Sequence, residues 1–310
     1  MAISQLPRPR SRKLALAVVG YPLVSLAPVL LSWGLLALIS AQRAEPLPLL
    51  WLVLGLFAVR HFNVFIVSTL HHKSMAHQAF RFHPALERAL RIWGWLFVGT
   101  GVRAFATLHR YHHAKTDTPE DPHSPTKAGE SLWTVPAQTH RSYLHVLHHP
   151  EAYARYAENL PADRLEAFIA WDERHGFGFR GVRAPLLAAL GIGLFASLFG
   201  PGAGVAVFFA ALPATLGGVF ATSVFTVNGL CHLIGYQTFE SEHTATNLFP
   251  VDLLGWGEVL HQNHHMSASS ANFAYHAWEW DPGYSVLWLL AKLGLVRDLK
   301  TPRPAVVTAG

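Results

Sequence analysis

The sequence predicts an all-α integral membrane protein. Four transmembrane helices form two hairpins, and a cytosolic helical cap holds a di-metal site, all within a single domain over residues 1–310. Three observations lead there. Long stretches carry no charged residue at all. The composition is 51% hydrophobic with 14% Asp, Glu, Lys and Arg and a mean hydropathy of +0.24, where soluble domains carry roughly 25% charged residues. And the 20 histidines, outnumbering the 19 acidic residues, gather in spaced clusters outside the apolar runs. This balance excludes a disordered chain. The single cysteine, Cys231, excludes a disulfide framework and any multi-cysteine zinc or iron–sulfur site.

The first span is expected at 14–40, a charge-free run longer than the ~20 residues that cross a bilayer core. Its length argues for a retained helix over a cleaved signal peptide, whose apolar core is shorter. The second, 46–70, follows a short loop containing Arg43; Arg60, His61 and Asn63 fall near its end, where an arginine can snorkel. From Ala184 to Cys231 no residue is charged, and Gly200-Pro201-Gly202-Ala203-Gly204 breaks that run into spans at 184–199 and 205–231. Residues 71–183 and 232–310 then form the cap. Ile92–Leu108 is apolar but short and reads as an interfacial segment, and Val286–Val296 as an amphipathic helix.

Positive charge fixes the orientation. Arg8, Arg10, Arg12 and Lys13 precede the first span, and Lys73, Arg81, Arg88, Arg91, Arg103 and Arg110 follow the second. Both groups fall on one side, so the termini and the histidines are expected in the cytoplasm, at a bacterial inner membrane. The pI near 9.5 therefore needs no nucleic acid.

The histidines carry the chemistry. His72 and His77 read H-x-x-x-x-H; His109, His112 and His113 read H-x-x-H-H, and His261, His264 and His265 repeat it. On a helix, positions i, i+3 and i+4 share a face, so each triplet aims several imidazoles at one volume. Asn228 and His232 stand four apart at the end of the last span. Nine imidazoles and an amide exceed what one tetrahedral zinc takes and suit two ions of higher coordination. Imidazole accepts iron, copper, zinc and nickel alike; redox chemistry beside lipid favours iron.

These stretches resemble the membrane-bound fatty acyl desaturases, in particular the acyl-CoA delta-9 type. The matching residues are His72-Lys-Ser-Met-Ala-His77, His109-Arg-Tyr-His112-His113 with Asp117 and Asp121-Pro-His-Ser following, Asn228-Gly-Leu-Cys-His232, Gly257-Glu-Val-Leu-His261-Gln-Asn-His264-His265 and Trp278-Glu-Trp-Asp281-Pro282-Gly283. The resemblance runs from about residue 50 to 298, with a gap between 130 and 183. It implies one iron on His72, His113, His232, His261 and His265. The other would take His77, His109, His112 and His264, with Asn228 reaching it through water. It further implies an oxidoreductase acting on paired donors, which reduces dioxygen to water and sets a cis double bond in an acyl chain linked to CoA, a carrier protein or a lipid. Electrons would come from an external donor such as ferredoxin, rubredoxin or a small cytochrome with its reductase. Hydroxylation, or decarboxylation to a terminal alkene, is possible from the same metal pair, whereas a non-catalytic metal carrier is disfavoured because transporters place ligands inside the membrane.

Other histidines read as bystanders. His145, His148 and His149 also form H-x-x-H-H but read as a surface cluster, and His71 as solvated or as a neighbour of the ligands. Glu258 is expected to orient adjacent His261, and Asp117 and Asp121 to support the second triplet. Glu120/His123 cannot form a helical carboxylate–histidine pair between Pro119 and Pro122. No catalytic residue is expected beyond the metal centre. Against the family pattern stand Lys73 for an arginine, Val259-Leu260 for Gly-Trp, and Ala106-Thr107-Leu108 for a tryptophan and an acid. Those departures touch substrate handling rather than the ligands, and 130–183 reads as a different cap.

Overall fold

The structure, a computed structural model, describes residues 11–44, 46–126, 129–176 and 182–302. Arg8 and Arg10, which enter the orientation argument, lie outside the described residues. The chain is mostly helical. α1 covers Ser11–Ala41 and α2 Leu49–Ile66, the latter continuing as wide π-helical turns over Val67–Ala76. α3 (Pro84–Trp93), α4 (Val102–Lys115), α5 (Val135–His148) and α6 (Arg164–His175) follow. α7 (Arg183–Ala196) and α8 (Pro201–Val219) come next, α8 extended by π turns over Phe220–Val227; α9 (His261–Met266) and α10 (Pro282–Lys292) complete the set.

Among the described residues, three helices are long and apolar enough to cross a membrane: Val19–Ala41, Leu49–Ala76 and Gly202–His232. The expected third span, 184–199, is a shorter apolar helix at Arg183–Phe199. α7 packs closely on α8, and α1 and α2 also pack on α8. The α7–α8 crossing needs its glycines: a Cβ on Gly193 would stand 2.9 Å from the Gly204 carbonyl oxygen, and one on Gly204 2.9 Å from that of Gly193. Val29, Leu36, Leu52, Leu56, Ala189, Val207 and Ala210 fill the core between these helices with small and branched side chains.

A second core, built on Ile66, Leu70, Phe80, Phe82, Ala106, Leu287 and Val296, lies where α2 meets the remaining helices. Two differences from expectation appear here. Val286–Val296 is not one helix: α10 ends at Lys292, and Gly294 (φ +73°) turns the chain into β2 (Val296–Arg297). That strand pairs antiparallel with β1 (Arg81–Phe82), Phe82 opposite Val296, so the all-helical expectation misses a short ribbon. Ile92–Leu108 does not lie flat on a surface either. Gly99 (φ +86°) breaks it, and α4 then carries Ala106 and Leu108 into the interior.

Candidate metal centre

The first histidine pair sits on the π-helical continuation of α2. There the His77 N–H donates to the His72 carbonyl at 3.1 Å, a bond spanning five residues. H-x-x-x-x-H is thus one π turn, which brings the two rings to 4.9 Å. α4 presents His109, His112 and His113, and α9 presents His261, His264 and His265. His232 closes the 3₁₀ turn Leu230–His232 after α8.

The nine imidazoles converge in two groups, His72, His77, His109, His113 and His264 in one and His112, His232, His261 and His265 in the other. In the first, Nε2 atoms stand 2.8 Å apart for His77–His109, 2.9 Å for His109–His113 and His113–His264, and 3.0 Å for His72–His264. In the second, His232–His261 and His261–His265 are each 3.1 Å apart. Each group thus offers several imidazole nitrogens close enough together to hold a metal ion. Burial, and then the rings' mutual repulsion, hold His77, His109, His112, His113, His261, His264 and His265 well below the usual histidine range. They present neutral lone pairs, the form that binds a metal.

This grouping differs from the partition the resemblance implies, since His72 and His113 change places with His112. Asp121 is the reason for His112: its carboxylate takes Nδ1 at 2.8 Å and turns the ring toward His232 and His265. Asp121 is itself fixed by the N–H groups of Asp117 and His123. Asp117 accepts from the Thr244 N–H and hydroxyl, and Thr244 Oγ1 lies 3.2 Å from His232 Nδ1. Glu258 meets His72 rather than its neighbour His261, with 2.6 Å between Nδ1 and the carboxylate, and it also accepts from Ser68 at 2.6 Å. Asp121 keeps the proton on Nδ1 of His112 and frees its Nε2 for a metal, while Glu258 sets a negative charge beside the His72 ring.

A cavity of about 560 Å³ reaches the first group at His72 and His109, with Asn228 and Glu258 also on its wall. That volume falls within the ~300–1,000 Å³ of sites that enclose a small molecule. Val64, Val67, Phe105, Leu108, Leu147 and Val227 make the adjacent walls apolar. A long hydrocarbon is what such a space accepts.

A sequence model of the family described as fatty acid desaturase matches residues 45–281. The chain belongs to the fatty acid desaturase family. Among its relatives in that family, the sn-1 stearoyl-lipid 9-desaturase of Synechocystis is 28% identical over 74% of this chain and 66% of its own length. The acyl-CoA 5-desaturase of Anemone leveillei is 30% identical over 81% of this chain and 72% of its own. The hex-5-enoyl-[acyl-carrier protein] acetylenase of Moorena producens is 28% identical over 77% and 73%.

Within the desaturase scaffold, the departures acquire structural roles. Lys73 donates to Asp281 at 2.7 Å, both side chains fully buried, and its ammonium lies 4.1 Å from the Phe273 ring centroid. It thereby ties the first histidine pair to the C-terminal Trp278–Gly283 stretch. Glu279 of that stretch accepts from Asn263, between His261 and His264, at 2.8 Å. Val259 and Leu260 are buried, and Leu108 lines the cavity. The 130–183 segment supplies α5, whose Tyr143, Leu144 and Leu147 form one side of the cavity.

His145, His148 and His149 are exposed and outside both groups; His145 bonds Tyr153. His71 is buried, not solvated, its nitrogens facing the carbonyls of Ile66 and Thr100. Sequence reasoning passed over His123. It is buried against the His112 ring at 4.4 Å and borders the cavity. Its position within Asp121-Pro-His-Ser was the available signal.

Proposed function

We propose that this chain is an oxygen-dependent fatty acyl desaturase that sets a cis double bond in an acyl chain at a non-haem di-iron centre. One observation carries the reading: of two imidazole-only clusters, the first borders, at His72 and His109, an apolar cavity whose volume suits an acyl chain. His72, His77, His109, His113 and His264 would hold one iron, with Asn228 reaching it through water, and His112, His232, His261 and His265 would hold the other. When bound, the pair with dioxygen and two electrons supplies an oxidant able to take hydrogen from an unactivated C–H bond, which no side chain can do.

The protein's own residues prepare for that chemistry. Asp121 holds the proton on Nδ1 of His112 and fixes that ring, and Glu258 sets a negative charge beside the His72 ring. Val64, Val67, Phe105, Leu108 and Val227 seat the hydrocarbon and exclude water beside His72 and His109. The fully buried Cys231, the single cysteine of this sequence, cannot itself build an iron–sulfur cluster, and an external donor such as ferredoxin, rubredoxin or a small cytochrome with its reductase would supply the electrons. α7 joins the three long apolar helices in the bilayer, giving two hairpins with the termini and the metal-bearing cap in the cytoplasm of a bacterium.

The test loads purified protein with iron anaerobically, reduces it, and admits oxygen in the presence of acyl substrates. Mass spectrometry should find acyl chains lacking two hydrogens. Gain of one oxygen atom instead would make the protein a hydroxylase, and no oxidised product from protein holding two irons would remove the oxidase reading.

A further inference from the structure

The cavity also extends away from His72 and His109. Tyr143 of α5, Asp172 and Glu173 of α6 and Arg183, the first residue of α7, border it. Arg183 pairs with Asp172, donates to the Trp95 carbonyl at 3.1 Å and stacks over the Trp95 ring at 4.8 Å. Trp95 Nε1 in turn donates to Asp172 at 2.8 Å. An arginine and a tryptophan joined at the first turn of an apolar helix mark the level of lipid head groups. The Nε–H of Arg183 is buried and has no acceptor among the described residues, an unmade bond that a ligand carbonyl would relieve.

The wall between this part of the cavity and the outside is thin. Ala184 and Pro185 of α7 form one edge, and Leu216 and Phe220 on α8 and its continuation form the other. Leu216 and Phe220 border the cavity yet are 47% and 45% exposed. They stand on a helix apolar enough to cross a membrane, so one layer of side chains separates the cavity from acyl chains of the bilayer.

We infer that the acyl chain of an intact membrane glycerolipid enters sideways between Ala184–Pro185 and Leu216–Phe220, its ester stopping at the Trp95–Asp172–Arg183 cluster and its head group staying outside. This names the substrate class of the desaturase proposed above and rests on that reading. A soluble thioester carrier would present its chain from water, where this edge offers no opening of its own. A free fatty acid would bring a carboxylate against Asp172 and Glu173. Burial and the neighbouring carboxyls Glu166 and Asp172 already push Glu173 up to about 7, so a further anion there is opposed.

The experiment uses the iron-loaded full chain in nanodiscs with reductant and oxygen. One arm contains a phosphatidylglycerol with a saturated chain at sn-1. The other arms contain unreactive ether lipid and receive the same acyl group as CoA thioester, carrier-protein thioester or free acid. The expected result is unsaturated phosphatidylglycerol formed on the order of tenfold faster than any other product, with Leu216→Trp cutting that rate on the order of tenfold at unchanged iron content. Faster conversion of a thioester or free acid overturns the sideways entry and leaves the desaturase reading intact. No unsaturated product in any arm overturns both. A phosphatidylglycerol with a diazirine in its acyl chain should label the Leu216–Phe220 stretch without turnover; absence of label there overturns the entry route whatever the activity.

Discussion

The Glu258 carboxylate stands 2.6 Å from Nδ1 of His72, although the two residues come from opposite ends of the chain and the glutamate adjoins other metal-ligand candidates. The π-helical turn and the approach to α9 meet at this contact, which Ser68 also supports. Glu258→Gln keeps the shape but removes the negative charge beside the ring. Loss of such a carboxylate weakens metal affinity by roughly 10–100-fold. Titration of bound metal against a competing chelator should show this for Glu258→Gln and for Asp121→Asn; unchanged affinity in both would mean the carboxylates only pack.

The two groups of imidazoles predict a distinct pattern of metal loss. His264→Ala removes a member of the first group and His112→Ala a member of the second, so each should lower bound metal to about one ion per chain or fewer. His148→Ala should leave the metal content at the level of the unaltered protein. Metal analysis of purified protein checks this, and a loss from His148→Ala equal to that from His112→Ala would bring the exposed cluster into the centre.

Lys73 and Asp281 form a buried ion pair, and removing one partner strands the other charge. Lys73→Met and Asp281→Asn should each destabilise by about 3–5 kcal/mol, while Lys73→Met with Asp281→Leu should recover much of that loss. Thermal unfolding in detergent measures the cycle; additive losses in the double variant would show that the pair is not coupled.

Glu173 predicts a pH dependence. Its folded carboxyl is raised from 4.5 to about 7, chiefly by burial, with Glu166 and Asp172 adding to the rise and the Tyr143 hydroxyl and Gly101 N–H opposing it. Folding therefore favours the protonated form. The associated stability is complete below pH ~4.5 and is lost as pH rises through ~7, a change of about 3 kcal/mol. Glu173→Gln should flatten the stability profile between pH 5 and pH 8 on the order of that amount; equal slopes for both proteins would sink the assignment.

Much of this was legible in residue order because it depends on local patterns. Charge-free runs located the apolar helices, and i, i+3, i+4 spacing brought His109, His112 and His113 to one face. What escaped depended on partners distant in sequence. The orientation of the His112 ring depends on Asp121 reaching back across a turn, and the β1–β2 ribbon needs two dipeptides more than two hundred positions apart. The H-x-x-x-x-H spacing was visible, but its fit to a π turn was not, since i, i+3, i+4 spacing covers only the two triplets. The 184–199 span was expected from a charge-free run cut by the Gly200–Gly204 turn, and the helix found there, Arg183–Phe199, is apolar but shorter than the other three.

The Lys73–Asp281 tie has a consequence for biogenesis. The turn bearing the first two histidines is made well before the side chains that lock it, since Phe273 and Asp281 follow Lys73 by about two hundred residues. His261, His264 and His265 also arrive late, and His112 and His113 wait for them across the same gap. A nascent chain inserted as far as α8 holds only partial ligand sets, each open to capture by the wrong cation. Complete ligand sets therefore wait for His261, His264 and His265, and a truncation after residue 260 should yield membrane-inserted protein that binds less than a full complement of metal.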